Sequence, residues 1–146
     1  MFNPGHRPEA FGLKLSEFAI SQMISKVGQT QIIGQAELLP VFVSKLVWER
    51  VISNRRVIYF LDNDSARIAL IRGYSPVLSS LDIIIKCARL DAVTRSSPWY
   101  TRVHTSSNPA DEPSRLKKDQ LVATFGAKIV RPSIDSLEGW FTDVLE

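Results

Sequence analysis

Several features are scarce in this 146-residue sequence, and each scarcity excludes a class of protein. A single cysteine, Cys87, excludes an internal disulfide and a zinc site built from cysteines, and it is expected to be a small buried hydrophobe. No apolar run approaches the roughly 18 residues that span a bilayer, and the N-terminus lacks the pattern of a signal peptide. We therefore expect an intracellular domain with no membrane partner.

The charge balance is nearly even. Lysine and arginine number 18 against 15 aspartates and glutamates, which gives a net charge of +3. This mild excess is compatible with nucleic acid but does not select it. Hydrophobic residues make up 45% of the chain, which is ordinary for a globular protein, and the length allows one domain with a core.

The most informative stretch is VIYFLDNDSAR, residues 57–67. Its run Val57–Leu61 is uncharged, β-branched and aromatic, which is typical of a strand buried on both faces. Polar residues then interrupt the run, with Asp64 as the expected N-cap of a short helix that ends at Gly73. Because burying an unpaired carboxylate is costly, Asp62 either caps that helix or holds a cation.

Strand and helix patterns alternate along the rest of the chain. Extended patterns occur at 9–15, 31–33, 99–103 and 128–130, and helical patterns at 16–28, 35–51, 64–72, 78–93, 116–123 and 133–146. Because proline is tolerated best near a helix start, Pro40 predicts that its helix begins at Gly34 or Gln35, with Glu37 in the first turn. This alternation predicts an α/β or α+β layered domain.

Three carboxylates are expected at the ends of elements: Glu37, Asp62 and Asp111. Oxygen ligands without histidine or cysteine suit Mg²⁺ or Mn²⁺. Two such ions clamp the attacking and leaving oxygens of a phosphodiester. Spacing alone is weak evidence, because 15 acidic residues offer many triples. Glu37 is also typical of a first-turn residue that interacts with the helix dipole.

Three sequence motifs are more specific. IIGQAELLPV (32–41) resembles the helix of ribonuclease H domains that carries an Asn/Arg-Ala-Glu-Leu motif. IYFLDNDSAR (58–67) is similar to their central-strand Tyr-Thr-Asp-Ser motif, and RVHTSSNPADEPSR (102–115) to their late Asn-x-x-Ala-Asp-x-x-Ser/Ala-Arg motif. The versions seen here look most like the ribonuclease H region of retroelement polyproteins, especially DIRS-like elements, which couple a reverse transcriptase to a recombinase.

This resemblance implies a ribonuclease H-like mixed sheet flanked by helices, and metal-dependent hydrolysis of RNA in RNA/DNA hybrids. Glu37, Asp62 and Asp111 carry over as catalytic metal ligands for Mg²⁺ or Mn²⁺. Asn108 is implied beside them, and Asn63 or Ser65 is implied to touch the substrate backbone. The implied partners are an RNA/DNA hybrid and the remainder of a reverse-transcriptase polyprotein.

The family pattern is incomplete at the N-terminus. The family's first strand carries its first catalytic aspartate, but no aspartate precedes Asp62 here. We therefore expect residues 1–115 to form a ribonuclease H-like domain that lacks its first strand or strands, followed by an extension at 116–146. Either those strands lie elsewhere in a longer polyprotein, or the reading frame is truncated. Enzymatic activity is accordingly left open: the alternative is an inactive remnant of the fold that is structural or binds nucleic acid weakly.

The remaining candidate residues have ordinary interpretations. His6 and His104 are expected on the surface, and Trp48, Trp99 and Trp140 in the core rather than stacked on bases. A set of basic residues is expected to be solvated, with a nucleic-acid backbone as the alternative contact: Lys45, Arg50, Arg55, Arg56, Arg67 and Arg72.

Overall fold

The computed structural model describes residues 1–25, 32–132 and 139–144. These residues form seven helices and six short strands, so the chain has a mixed α/β architecture. The chain divides into two compact units, one of Met1–Ala19 with Ser107–Glu146 and the other of Ile20–Ser106. None of the helices in the described ranges is long and apolar enough to cross a membrane.

The first unit contains two small strand pairs. Strand β1 (Glu9–Ala10) runs parallel to β5 (Lys128–Ile129), and β2 (Leu13–Leu15) runs antiparallel to β6 (Phe141–Val144). Two helices complete it, α6 (Asp111–Ser114) and α7 (Asp119–Phe125). The predicted strand at 9–15 is thus observed as two shorter strands.

Two predictions near the C-terminus are wrong. Helix α7 starts at Asp119 rather than 116, and Leu116 itself has a positive φ of 56°, which a helix does not allow. The predicted helix at 133–146 is a strand at Phe141–Val144, where aromatic and β-branched residues suit extended backbone. Residues 133–138 and 145–146 lie outside the described residues.

Helix α1 (Glu17–Ser25) begins where Ser16 places a side-chain cap. The Ser16 Oγ accepts a hydrogen bond from the Ala19 amide at 3.1 Å and donates one to the Gly139 carbonyl at 2.6 Å. The predicted end of this helix at Gly28 lies outside the described residues.

The second unit is built on a pair of packed helices. Helix α2 (Ile33–Val47) packs on α5 (Leu78–Thr94), and the short α3 (Glu49–Ile52) follows α2. Their buried core contains Leu38, Val43, Ile83, Ile84 and Cys87, which confirms the interpretation of Cys87. Helix α2 starts earlier than predicted, so Ile33 is not extended and Pro40 lies within the helix, where its ring is exposed to solvent.

A parallel strand pair forms the other layer of this unit. Strand β3 (Arg56–Leu61) pairs with β4 (Ser97–Arg102), in register from Arg56 opposite Ser97 to Leu61 opposite Arg102. Helix α4 (Asp64–Arg72) and then α5 connect them. Such a crossover is the expected way to join parallel strands. Among the described residues the strands pair two by two, without the larger mixed sheet that the family resemblance implied.

The prediction that β3 is buried on both faces is wrong. Leu61 is buried, and Val57 and Tyr59 are half-buried, but Ile58 is 60% and Phe60 63% exposed. Within the described part of the chain, helices cover one face of the β3–β4 pair. The alternate side chains of the strands therefore point to solvent.

Helix α4 has the bounds predicted from sequence, with a different cap. The Asn63 side chain, and not Asp64, is the N-cap: its Oδ1 accepts from the Ala66 amide at 3.0 Å. Gly73 ends the helix in the left-handed conformation with φ 65°, as its residue type predicts.

Candidate active site

The candidate site lies where β3 and β4 end. Because the two strands are parallel and in register, their carboxyl ends meet at one edge, and the Val103 amide extends the pairing by donating to the Leu61 carbonyl at 3.0 Å. Asp62 follows β3 directly at this edge and is half-buried. The crevice outside the carboxyl ends of parallel strands is the usual ligand position in α/β sheets.

Glu37 reaches the same region from α2. Burial raises the pKa of its carboxyl above the ordinary value, and the negative charge of Asp62 raises that pKa further. The charge of Asp62 therefore acts on Glu37, although the two residues belong to different elements. Because α2 begins at Ile33, Glu37 lies beyond the first turn, and its predicted place in that turn is wrong. Its interaction with the helix dipole is correspondingly weak.

Asp64 is engaged by two arginines. Its Oδ1 lies 2.9 Å from the Arg67 guanidinium, and its Oδ2 lies 3.0 Å from that of Arg102. The pair with Arg102 joins the start of α4 to the end of β4, and the pair with Arg67 lies within α4. They also leave Asp62 as the acidic side chain of this segment that acts on Glu37.

The predicted substrate-binding residues of this unit are both at the start of α4. Asn63 uses its side-chain oxygen to cap the helix, which leaves its amide nitrogen to contact a ligand. Ser65 is exposed and lines a groove of about 260 Å³ together with residues of α2 that include Gly34 and Leu38. Ser65 and the helix that carries Glu37 thus share one concavity.

Asp111 and Asn108 belong to the other unit. Asp111 is the first residue of α6, and its Oδ1 accepts from the Arg115 guanidinium at 3.2 Å. The Asn108 side chain accepts from the Ala110 amide at 3.0 Å, which closes a local turn before Asp111. Across residues 1–25, 32–132 and 139–144, no three histidine, cysteine, aspartate or glutamate side chains form a group able to hold a metal ion.

The basic residues divide into different environments. Arg50, Arg55, Arg56 and Arg72 are exposed, as expected, and Arg67 pairs with Asp64. Lys45 is a correction, because its side chain is fully buried. The Lys45 ammonium lies 2.5 Å from Asp91 Oδ1 and 4.4 Å from the centre of the Tyr59 ring. The sequence around Lys45 predicts only a helix and does not indicate a contact with Asp91.

The histidines and tryptophans show one further correction. His6 and His104 are exposed, as predicted, and the His104 Nδ1 lies 2.9 Å from the Ser106 hydroxyl. Trp99, expected in the core, is 71% exposed on β4. The alternation of Trp99 with its neighbours indicated that it lies on one face of a strand, but not that this face is open.

The comparisons with known proteins add no relative. No model of a protein family, no curated protein and no solved structure matches this chain. The candidate site therefore depends on its own residues: Glu37 of α2, whose pKa is raised by burial and by the charge of Asp62 at the end of β3, and the polar start of α4.

Proposed function

We propose that this chain is a ribonuclease H-like nuclease domain of a retroelement polyprotein, which hydrolyses RNA paired with DNA in a metal-dependent reaction. One observation carries the proposal: Glu37 and Asp62 fall in two of the three sequence motifs, and the charge of Asp62, at the carboxyl edge of a parallel strand pair, raises the pKa of Glu37. The negative charge of Asp62 makes ionisation of Glu37 less favourable, and a divalent cation bound beside Glu37 would remove that cost.

The donor set fits Mg²⁺ or Mn²⁺. Mg²⁺ keeps several waters and is commonly held by one or two carboxylates together with substrate phosphates. Glu37 and Asp62, which belong to the same unit, would supply those two carboxylates. When bound, the ion would supply charge stabilisation at the scissile phosphodiester.

The other residues of this edge would position the nucleic acid. The Asn63 amide nitrogen and the Ser65 hydroxyl are available to a phosphate or a 2′-hydroxyl at the start of α4. Such contacts recognise an A-form-like hybrid by its shape and its 2′-hydroxyls and not by its sequence. The ion pairs of Asp64 with Arg67 and Arg102 would keep this edge rigid.

The test is cleavage of a labelled RNA/DNA hybrid by the purified chain in Mg²⁺ or Mn²⁺. We expect cleavage of the RNA strand that falls to background in Asp62→Asn and Glu37→Gln. The matched control is Asp82→Asn, because Asp82 forms an exposed ion pair with Lys86 at 2.8 Å on α5, within the same unit. Equal cleavage by Asp62→Asn and the unmodified chain would refute the assigned role.

A second candidate is an inactive remnant of the same fold. It is favoured by the engagement of Asp111 with Arg115 and by the absence of a three-member ligand group among the described residues. A chain that is folded by circular dichroism, but neither cleaves the hybrid nor gains thermal stability from Mn²⁺, would support this remnant. A rise in melting temperature with Mn²⁺ that Asp62→Asn abolishes would support the metal site, because a ligand that binds the folded state stabilises it.

A further inference from the structure

The outward face of the β3–β4 pair is apolar, aromatic and open to solvent. Ile58 and Trp99 are opposite each other in the register and are 60% and 71% exposed, and Phe60 is 63% exposed two residues along β3. From the spacing of strands and residues, the α carbons of Phe60 and Trp99 are about 8 Å apart. Two large rings thus lie side by side on one exposed surface, which we call the outward face.

The opposite face of the same strands is packed against the core, so the exposed aromatic rings lie on one face only. There the Tyr59 and Tyr100 rings pack with their centres 5.4 Å apart, and the buried Lys45 ammonium lies against them. The core of the unit therefore already has its aromatic residues. Phe60 and Trp99 contribute little to it, and exposed patches of this kind mark interaction sites.

The charges beside the outward face indicate its occupant. Arg56 occupies the next outward position of β3 and is exposed. Arg95, also exposed, ends α5 two residues before β4, at the same amino edge. The six outward positions of the two strands (56, 58, 60, 97, 99 and 101) include no aspartate or glutamate. A polyanion would neutralise these two arginines, and no carboxylate within the two strands would oppose it.

We infer that the outward face binds single-stranded nucleic acid, with bases stacked on Trp99 and Phe60 and phosphates near Arg56 and Arg95. Aromatic rings on a sheet beside cationic side chains are the combination that sequence-tolerant single-strand binding uses. A duplex does not offer its base faces to such a surface. The face ends at Phe60, two residues before Asp62, and base stacking on it uses neither of the proposed metal-binding carboxylates.

The test is binding of fluorescein-labelled dT20, U20 and a 20-base-pair duplex to the full chain, followed by anisotropy in EDTA so that no cleavage occurs. We expect Trp99→Ala and Phe60→Ala each to weaken dT20 and U20 binding roughly 5- to 150-fold. Trp99→Phe should retain most of the affinity, and Arg56→Gln should lower the salt dependence by about one counterion. Whether dT20 or U20 binds more tightly identifies the preferred nucleic acid.

Two controls keep the outcome decisive. Val93→Ala alters an apolar residue on α5 that is 75% exposed and lies off this face, so it should leave binding unchanged. Asp82→Asn, which alters an exposed charge on α5, should also bind dT20 normally. Equal binding by Trp99→Ala and the unmodified chain would overturn the inference. Sedimentation showing a dimer that Trp99→Ala dissociates would likewise overturn it, because the face would then join two copies of the chain.

Discussion

Removal of Asp91 should destabilise the second unit more than its position at the end of a helix suggests. The Lys45 side chain is 0% exposed, and its ammonium is paired with Asp91 at 2.5 Å. Asp91→Ala leaves that ammonium buried without its counter-charge, and it also removes a 2.7 Å hydrogen bond from the Ser96 hydroxyl. Breaking a buried pair from one side costs about 3–5 kcal/mol of unfolding free energy.

The same pair can be removed from both sides. Lys45→Met with Asp91→Ala eliminates the buried charge and keeps an apolar chain of similar length under the Tyr59 ring. Replacing a buried ion pair by apolar residues is often close to neutral. We therefore expect the double variant to recover at least half of the loss caused by Asp91→Ala, a coupling that only neighbouring residues show.

The assay is urea unfolding at pH 7, followed by circular dichroism, with the slope against urea checked to be constant across variants. Asp82→Ala is the matched control, because its pair with Lys86 is half-exposed on the same helix and should contribute at most about 0.5 kcal/mol. If Asp91→Ala were as mild as Asp82→Ala, the reasoning from burial would be refuted.

Three further predictions concern single residues. Because the pKa of Glu37 is raised in the fold, ionisation of Glu37 destabilises the fold once the pH exceeds 4.5, the ordinary pKa of this carboxyl. Glu37→Gln should therefore raise the melting temperature at pH 7 and change it little at pH 4. Equal shifts in melting temperature at both pH values would contradict this. Burial raises the pKa of the Cys87 thiol to about 12, although the charge of Lys45 acts in the opposite direction. A thiol reagent at pH 8 should therefore modify Cys87 only as fast as the protein unfolds. Immediate labelling of the native protein would contradict this prediction. Asn63→Ala should cost about 1 kcal/mol in urea unfolding, through loss of the cap on the Ala66 amide, and Asn63→Asp should restore it.

Elements whose bounds are set by neighbouring residues were predicted from the sequence. The bounds of α4 follow from capping residues at one end and glycine at the other, which act within a few positions of the chain. The strands β3 and β4 and the long helix α5 were also predicted to within two residues. Each of these elements is determined by its own side chains.

Burial and contacts that depend on residues distant in the sequence were not predicted. The burial of Lys45 requires Asp91, which lies 46 positions away, and no local pattern reports that contact. The exposure of Phe60 and Trp99 depends on whether helices cover one face of the strand pair or both. An apolar run in the sequence does not distinguish these two arrangements. For the candidate site, the motifs predicted Glu37 and Asp62, and the effect of the Asp62 charge on the Glu37 pKa appears only in the structure.

The parallel pairing of β3 with β4 also bears on how this unit folds. Every pair in that ladder joins residues 41 positions apart, from Arg56 with Ser97 onward. Helices α4 and α5 lie inside that span and form through neighbouring residues, on a timescale near a microsecond. Closing so long a loop comes later, and the rate at which the two strands find each other sets the folding rate of the unit. Until then β3 carries Ile58 and Phe60 on an unpaired strand, so refolding at high protein concentration should compete with aggregation at this segment.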